Sequence, residues 1–242
     1  MDGTTIILGG TGGIGAALAR RLAAAGRRLH LIARDAARLE TLAAELGASH
    51  AVCDVTDPAT IATAIAAMEG PVDGLAYAVG SITLKPLPRL TAAEMMADYQ
   101  LNALGAALAV QAALPGLKSA DKGAAILLYS SVAVAQGFPN HVSIAMAKGA
   151  IEALTRSLAA ELAPRIRVNC LAPSLVRTPL ACALTGNEQM AQAIAALHPL
   201  QRIGAAEDLA AMGMLLLSPE SGWITGQVIG IDGGRSALIG KG

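Results

Sequence analysis

Short apolar stretches alternate with longer helical patterns along this chain, and that alternation limits its fold more than any other feature. Seven stretches are short and aliphatic, which is typical of buried strands: Thr4–Leu8, Leu29–Ile32, His50–Cys53, Val72–Tyr77, Ala124–Tyr129, Ile166–Leu171 and Val228–Ile231. Six longer stretches have helical spacing: Ile14–Ala25, Ala36–Leu46, Ala59–Met68, Ala92–Leu114, Val142–Leu162 and Ala206–Leu217. Strands that are separated by helices pair in parallel, and helices then cover both faces of the sheet. The sequence therefore predicts an α/β fold with a doubly wound parallel seven-stranded sheet and helices on both faces.

The size and charge of the chain limit its organisation and its partners. Its 242 residues are enough for one large domain with a sizeable core. No repeat, low-complexity tract or charged linker divides it, so we expect a single domain over residues 1–242. Eighteen basic and 18 acidic residues leave no net charge, which argues against nucleic acid or an anionic membrane as a partner. A small molecule is the expected partner.

Hydrophobic residues make up 54% of the chain, so a membrane-spanning segment has to be considered. The longest apolar stretch, residues 101–117, contains Asn102, Gln111 and Pro115, which is typical of a buried helix and not of a membrane span. The first four residues lack the basic flank of a signal peptide. These features predict a cytoplasmic protein.

The three cysteines are few and far apart. Cys53, Cys170 and Cys182 have neither disulfide-like nor metal-ligand spacing. We expect them to be reduced residues that pack in the interior, and we expect no metal site.

Three glycines follow the first predicted strand and open the first predicted helix. Gly9, Gly13 and Gly15 allow a tight turn, and they let backbone N–H groups and the helix amino terminus approach a pyrophosphate. A glycine-rich turn alone is a weak signal, but its position in a series of strands and helices favours a dinucleotide. Sheets of this kind bind their ligands at the carboxyl ends of the strands.

Short motifs spread over most of the chain give it a resemblance to a known family. They are, in chain order, Gly9–Gly15, Cys53–Val55, Leu101–Gly105, Tyr129–Ala133, Ala147–Ala150, Val168–Pro173, Ile224–Gln227 and Asp232–Gly234. In this order they resemble the short-chain dehydrogenase/reductase (SDR) family from Thr5 to Ser236. The resemblance implies a Rossmann-type sheet, a nicotinamide dinucleotide and hydride transfer involving a carbonyl compound.

The resemblance also implies a set of cofactor-binding residues. They are Gly9, Thr11, Gly13, Ile14, Gly15, Arg34, Asp54, Val55, Gly80, Lys148, Pro173 and Thr178. Ala33 occupies the position that holds aspartate in NAD-preferring relatives, and the guanidinium of Arg34 beside it can pair with the 2′-phosphate of NADP. NADP(H) is therefore favoured over NAD(H), and a solvated loop residue is the alternative role of Arg34.

The family's reaction centre combines a serine that orients the carbonyl, a tyrosine that exchanges the proton, a lysine that holds the nicotinamide ribose and an asparagine that supports a water relay. Ser131, Lys148 and Asn102 match three of these positions. Ile144 occupies the tyrosine position, four residues before Lys148, and has no proton to give. A general acid is worth about 10² to 10⁴ in rate, so ordinary ketone reduction needs a substitute.

Two kinds of side chain are candidates for that substitute. His141 stands three residues before Ile144, where the enoyl-acyl-carrier-protein reductase branch has its tyrosine. If the helix extends that far, we expect His141, Ile144 and Lys148 to share one helical face. The alternative role of His141 is a cap at the start of the helix. The glycine motif is that of the main family branch, which argues against the enoyl branch. The tyrosines form the second set: Tyr77, Tyr99 and Tyr129. Tyr129 is expected to be a core aromatic.

Two functions stay open at this point. The first is an NADP-dependent oxidoreductase that transfers hydride to a carbonyl or conjugated enoyl carbonyl, with His141 or a bound water as the proton source. The second is a catalytically silent NADP-binding sensor or partner-binding protein. Residues 174–200, which the family uses as a substrate flap, are apolar and favour a hydrophobic or acyl-like substrate. The resemblance implies a homotetramer, with a homodimer as the alternative.

Overall fold

A computed structural model describes residues 3–68 and 70–238, and the ends of the predicted domain, 1–2 and 239–242, lie outside the described residues. The main sheet contains β1 (Thr4–Leu8), β2 (Arg28–Ala33), β3 (Ser49–Val52), β4 (Val72–Tyr77), β5 (Ala124–Tyr129), β6 (Ile166–Pro173) and β9 (Val228–Ile231). These seven strands are parallel and lie in the order β3-β2-β1-β4-β5-β6-β9. Two short strands, β7 (Val176–Arg177) and β8 (Gly204–Ala205), pair separately. The predicted doubly wound parallel sheet is confirmed.

Helices connect the strands and cover both faces of the sheet. They are α1 (Gly13–Ala24), α2 (Ala36–Leu46), α3 (Pro58–Ala66), α4 (Ala92–Tyr99), α5 (Gly105–Lys118), α6 (Val132–Gln136), α7 (Val142–Leu162), α8 (Cys182–Thr185), α9 (Glu188–Ala196) and α10 (Ala206–Leu217). Aspartate caps begin two of them, because Asp35 and Asp57 accept hydrogen bonds from backbone N–H groups in the first turns of α2 and α3.

Alternation along the central strands divides the core into two layers. Ile6 and Leu8 of β1 belong to the layer that includes residues of α3, α5 and α7, whereas Ile7 belongs to the layer with α1, α2 and α10. All three side chains are completely buried. Burial of one such side chain contributes about 1.5 to 3 kcal/mol, so the two layers hold the strand ends in fixed positions.

The order of the strands locates the ligand crevice. The chain runs from β1 outward to β2 and β3, and then returns to β4 on the other side of β1. Ligands of open α/β sheets bind at such a reversal, beyond the carboxyl ends of the strands. The crevice therefore lies between the loops that follow β1 and β4.

One helix that was predicted to be continuous is interrupted in the structure. A single helix was expected over Ala92–Leu114, but a π-helical turn at Gln100–Leu104 separates α4 from α5. The apolar stretch continues through these five residues, so the pattern gave no sign of the break. Turns of this type are frequent at functional sites, and Asn102 lies in this one.

Two expectations from composition can be compared with the structure. Cys53 and Cys170 are buried and free, as expected, but Cys182 is exposed, so its predicted packing role is wrong. Among the described residues, no helix is long and apolar enough to cross a lipid bilayer.

Candidate active site

The glycine turn brings the start of α1 to the crevice. The N–H groups of Gly9 and Gly10 donate to Ile32 O at 2.8 and 3.2 Å, and Gly9 has a φ of +78°. A Cβ at Gly15 would lie 2.2 Å from Gly9 O, so no other residue fits there without moving the turn. The helix begins with no side-chain cap and no acidic residue in its first turn. Its free N–H groups therefore form a site for a pyrophosphate, with Thr11 and Ile14 in the same turn.

The far end of the crevice carries one basic and one acidic side chain. Arg34 is exposed directly after β2, and Asp54 is exposed after β3. Hydrogen bonds from the backbone and side chain of Thr56 hold the pKa of the Asp54 carboxyl below its usual range, and the charge of Arg34 adds to this effect. The structure thus places both predicted adenosine-binding side chains at one edge of the sheet, beside the buried Val55.

Asn102 is held rigidly beneath the loop that follows β4. Its Nδ2 donates to Ser81 Oγ and to Asp98 O, both at 2.9 Å, and the residue is completely buried. Its Oδ1 has no hydrogen-bond partner among the described residues. A Cβ at Gly80 would lie 3.2 Å from Asn102 Oδ1 and 3.3 Å from Lys148 Nζ, so Gly80 keeps the space between these polar groups open.

Ser130 and Ser131, which follow β5, have different surroundings. Ser130 is buried and donates to Glu152 Oε1 at 2.9 Å, so its hydroxyl supports α7. Ser131 caps α6, where its Oγ accepts from the N–H of Ala133 at 3.2 Å, and it lines the cleft. Its own hydroxyl proton is therefore free for a ligand in the cleft.

Lys148 is the buried cation of the cleft. Its side chain is 8% exposed, and Nζ donates to Tyr129 O at 2.9 Å. Burial lowers the pKa of the Lys148 ammonium to about 8, because the charged form loses solvent. Only one of its three N–H groups donates to a protein acceptor among the described residues, which leaves two for a ligand.

Ile144 and His141 line the same cleft as Lys148. Ile144 is 6% exposed and lies one helical turn before Lys148, where it offers only carbon atoms. His141 is the residue that precedes α7, with φ −104° and ψ 11°, so the helix does not extend to it and the condition for a shared helical face is not met. Its Nδ1 lies 2.7 Å from Pro139 O. His141 nevertheless lines the cleft, together with Phe138 and Pro139 of the turn before α7.

The tyrosines do not replace the missing acid. Tyr129 is buried, its hydroxyl lies near Gly213 of α10 and has no partner among the described residues, and burial raises the pKa of its phenol. The hydroxyl of Tyr77 donates to Leu101 O at 2.6 Å. Tyr99 is exposed and is absent from the lining of the cleft. The prediction of a core role for Tyr129 is confirmed.

The segment from residue 174 onward forms the opposite wall of the cleft. Pro173 and Thr178 line it, and a Cβ at Gly13 would lie 2.5 Å from Thr178 Cγ2, so this wall touches the glycine turn. The remaining lining of this wall is mainly aliphatic: Leu175, Val176, Leu180, Leu184, Ile194 and Leu197. The cleft has a volume of about 420 Å³, enough for a small organic substrate.

Two sets of residues near the cleft were missed by the sequence analysis. Buried Asp98 accepts hydrogen bonds from Ser81, Thr83 and Ser143 at 2.7, 2.9 and 2.5 Å, and so joins α4 and α7 to the loop after β4. Hydroxyl-bearing residues at 81 and 143 gave the only signal, and their proximity is visible only in the fold. The second set, Arg235 and Phe138, lines the wall of the cleft.

The arrangement fits a nicotinamide dinucleotide. A ribose needs donors and acceptors, and the unpartnered Asn102 Oδ1 and the two free N–H groups of Lys148 supply both. The glycine turn provides the closely approaching backbone that a pyrophosphate needs. The positions of Gly9, Gly80 and Lys148 along one crevice match the extended shape of such a molecule.

Comparisons with known proteins agree with this geometry. A family model described as Enoyl-(Acyl carrier protein) reductase matches residues 9–236. The inactive 2-(S)-hydroxypropyl-CoM dehydrogenase 2 of Xanthobacter autotrophicus is 36% identical, over 91% of this chain and 100% of the relative. The galactitol 2-dehydrogenase (L-tagatose-forming) of Cereibacter sphaeroides is 35% identical, over 97% of this chain and 95% of the relative.

A solved structure has the same fold as this chain. The gluconate 5-dehydrogenase of Burkholderia cenocepacia, in complex with NADP and tartrate, matches with a TM-score of 0.92 at 28% identity, over 98% of this chain and 96% of that one. Fold, crevice and relatives therefore agree, and the chain belongs to the short-chain dehydrogenase/reductase family of oxidoreductases.

Proposed function

We propose that the chain is an NADP-dependent reductase that transfers hydride to a carbonyl or conjugated enoyl carbonyl without a tyrosine acid. The observation that carries this proposal is the convergence of Ser131, Lys148 and the Asn102 region on one cleft beside the glycine turn. Converging roles are a better indication of an active site than any single residue.

The residues of the chain have separate tasks in this reaction. The bound nicotinamide supplies the hydride. Ser131 donates its hydroxyl proton to the substrate carbonyl oxygen and so orients it, because its Oγ is already held by the N–H of Ala133. Lys148 holds the ribose and places a positive charge where negative charge develops on the oxygen. Ile144 and the leucines of the opposite wall exclude water.

The proton comes from His141 or from a bound water. Pro139 O can only accept a hydrogen bond, so Nδ1 of His141 carries the hydrogen in their contact. Nε2 is then the nitrogen that exchanges a proton with the cleft. The position of the ring in the lining of the cleft supports this role.

Arg34 supports the choice of NADP. Its guanidinium is exposed at the end of β2, where a 2′-phosphate of the bound cofactor would lie, and the aspartate that binds ribose hydroxyls in NAD-preferring proteins is replaced by Ala33. Replacement of Arg34 by alanine is expected to weaken NADPH binding and to leave NADH binding unchanged.

The aliphatic wall contributed by residues 174–200 supports a hydrophobic or acyl-like substrate. A homotetramer, or else a homodimer, is part of the proposal on the grounds of the family. The cytoplasmic location stays a prediction from the sequence.

NADPH oxidation by the purified protein tests the proposal. The substrate panel contains ketones, 3-oxoacyl thioesters and enoyl thioesters, and His141→Ala is measured with His50→Ala, an exposed histidine outside the cleft, as its control. We expect turnover by wild type and by His50→Ala, and a sharp fall for His141→Ala. Unchanged turnover of His141→Ala assigns the proton to water, and loss of NADPH binding by wild type refutes the proposal.

A silent NADP-binding sensor is the second candidate function. Ile144 favours it, because a buried aliphatic side chain at this position cannot protonate an alkoxide. A relative whose name includes the word inactive also favours it. Tight NADPH binding without oxidation of NADPH on any member of the panel is the result that this second function predicts.

A further inference from the structure

Arg235 is a cationic side chain at the wall of the cleft that the proposed reaction does not use. It lies in the turn after β9, is half-buried and lines the same cleft as Ser131 and Lys148. Its guanidinium carbon lies 4.6 Å from the centre of the Phe138 ring. The Phe138 ring in turn meets His141 edge to face, with 5.3 Å between the ring centres. The Phe138 ring therefore contacts both the guanidinium of Arg235 and the ring of His141.

The guanidinium of Arg235 makes no hydrogen bond or ion pair in the described part of the chain, and only the more distant charge of Asp232 acts on it. Within residues 3–68 and 70–238, no hydrogen bond or ion pair joins its side chain to an acceptor. Asp232 is the acidic neighbour, but its carboxylate accepts from the N–H of Gly234 and from the N–H and hydroxyl of Ser236. By contrast, half-buried or buried arginines elsewhere are paired, as Arg27 is with Asp73.

A partly desolvated guanidinium without an ion pair can still bind an anionic partner. Burial lowers the pKa of Arg235, although the group stays charged at neutral pH. The Phe138 ring contacts the guanidinium by cation–π attraction and fixes its position. The five N–H donors point outward in the plane of the group, and their planar fork matches the two oxygens of an oxyanion.

The rest of the cleft determines what such an anion would be attached to. Besides Arg235 and the reaction centre, the cleft has an aliphatic wall, with Leu175, Leu180 and Leu197 among its residues. A substrate that fills the cleft would therefore place a carbonyl at Ser131, an apolar chain along the leucines and an anion at Arg235.

We propose that Arg235 binds the substrate through an oxyanion, a carboxylate, sulfonate or phosphate, at the end of a short apolar chain that carries the reacting carbonyl. This inference rests on the proposed reduction of a carbonyl compound and adds the charge class of the substrate. Phe138 is the positioning residue that holds the guanidinium at the wall.

Oxo acids and their neutral esters provide the test. The probes are 4-oxopentanoate, 5-oxohexanoate and 6-oxoheptanoate, each with its methyl ester, because the three lengths cover a range of distances from carbonyl to anion. Binding to the NADPH-bound protein is measured by calorimetry, and kcat/KM is measured in parallel. The variants are Arg235→Gln, Arg235→Lys and the control Arg21→Gln, which removes an exposed arginine outside the cleft.

We expect wild type to favour at least one acid over its ester by about tenfold or more, which is the usual contribution of a charge-assisted hydrogen bond. Arg235→Gln should abolish this preference through KM or the dissociation constant and leave the ester and NADPH binding unchanged. Arg235→Lys should retain part of it, and Arg21→Gln should behave like wild type. If Arg235→Gln weakened the binding of acid and ester equally, Arg235 would have a structural role and the proposal would be overturned.

The two proposals can fail separately. If an acid binds in an Arg235-dependent way without turnover, the anion site stands and the reduction is refuted for that compound. If the esters are reduced as well as the acids, the reduction stands and the anion site is refuted. Failure of all three acids to bind the NADPH-bound protein also overturns the anion site.

Discussion

Ile144 is the residue on which the chemistry of this protein depends. It is almost completely buried one turn before Lys148, and its side chain is part of the lining of the cleft. The other reaction-centre residues keep polar atoms free for a ligand, so the chain lacks one proton donor and not a whole site.

Substitution of Ile144 by tyrosine should therefore increase ketone reduction. A phenol at this position is next to the positive charge of Lys148, and a general acid contributes about 10² to 10⁴ in rate. Steady-state kcat with a ketone and NADPH measures the gain. Ile144→Phe is the matched control, since it adds the ring without the proton. Equal rates for the two variants would show that shape, and not acidity, limits the reaction.

The buried charge of Lys148 should affect stability in a pH-dependent way. Its pKa is about 8 in the folded chain and near 10.5 in the unfolded chain, so between these values unfolding takes up a proton and the free energy of unfolding rises with pH. The charged form costs roughly 3 kcal/mol below pH 8. Lys148→Met should thus be stabilised relative to wild type at pH 7, and the difference should shrink as the pH rises towards 10.

Urea unfolding of the two cofactor-free proteins at pH 7, 8, 9 and 10 provides the measurement. The difference between the proteins removes the contribution of other groups that titrate in the same range. A difference that stays constant over this range would mean that Lys148 ionises normally in the folded chain.

At the scale of elements, the contact between the glycine turn and α1 should determine cofactor binding. A methyl group at Gly15 would collide with Gly9 O at 2.2 Å, and a backbone atom cannot move aside as a side chain can. Gly15→Ala should weaken NADPH binding by about tenfold or more, equivalent to 1.4 kcal/mol, and fluorescence titration with NADPH measures this.

Gly149→Ala is the control for that experiment. Its Cβ would lie 3.8 Å from the nearest side-chain atom, and alanine favours a helix by about 1 kcal/mol over glycine. It should bind NADPH as wild type does and be at least as stable. If Gly15→Ala also binds NADPH normally, the turn does not bind the pyrophosphate.

Elements differ in how well the sequence predicts them. Short runs of mainly apolar residues predict strands, and the bounds of β1, β4, β5 and β9 were predicted to the residue. The π-helical turn at Gln100–Leu104 was not predicted, since no glycine, proline or polar run marks it within the apolar stretch. Short helices such as α6 have too few residues for a periodic pattern.

The candidate site was predictable only where a motif marked it. Motif positions placed Ser131 and Lys148 at the cleft, because a parallel sheet brings the carboxyl ends of its strands together. For Asp98 the only sequence signal was the presence of hydroxyl-bearing residues at 81 and 143, and their proximity to it depends on how α4 packs on α7. Arg235 and Phe138 are far apart in the sequence, and only the fold brings them to one wall.

At the scale of the whole molecule, the family leads us to expect an oligomer. The chain has one tryptophan, Trp223, and it is fully exposed in the single chain. It precedes β9, which is the last strand of the sheet and pairs on one side only among the described strands. An open edge beside an exposed aromatic side chain suits a second copy of the chain.

Light scattering and tryptophan emission should therefore both indicate an oligomer. We expect a mass of four chains, or else two, and an emission maximum at shorter wavelength than that of tryptophan in water, because the partner covers the indole ring. Trp223→Ser should reduce the mass. A monomeric mass with the emission of a solvated indole would contradict the proposed assembly.

Transfer of deuterium from the cofactor tests the central claim most directly. NADPH with deuterium at C4 of the nicotinamide is incubated with wild type and the substrate panel, and the products are analysed by mass spectrometry, with Lys148→Ala in parallel. If the chain is a reductase, wild type forms a deuterium-labelled product and Lys148→Ala forms little or none. No labelled product from wild type, together with tight NADPH binding and clear labelling by Ile144→Tyr, would contradict it and identify a cofactor-binding protein that has lost its reaction.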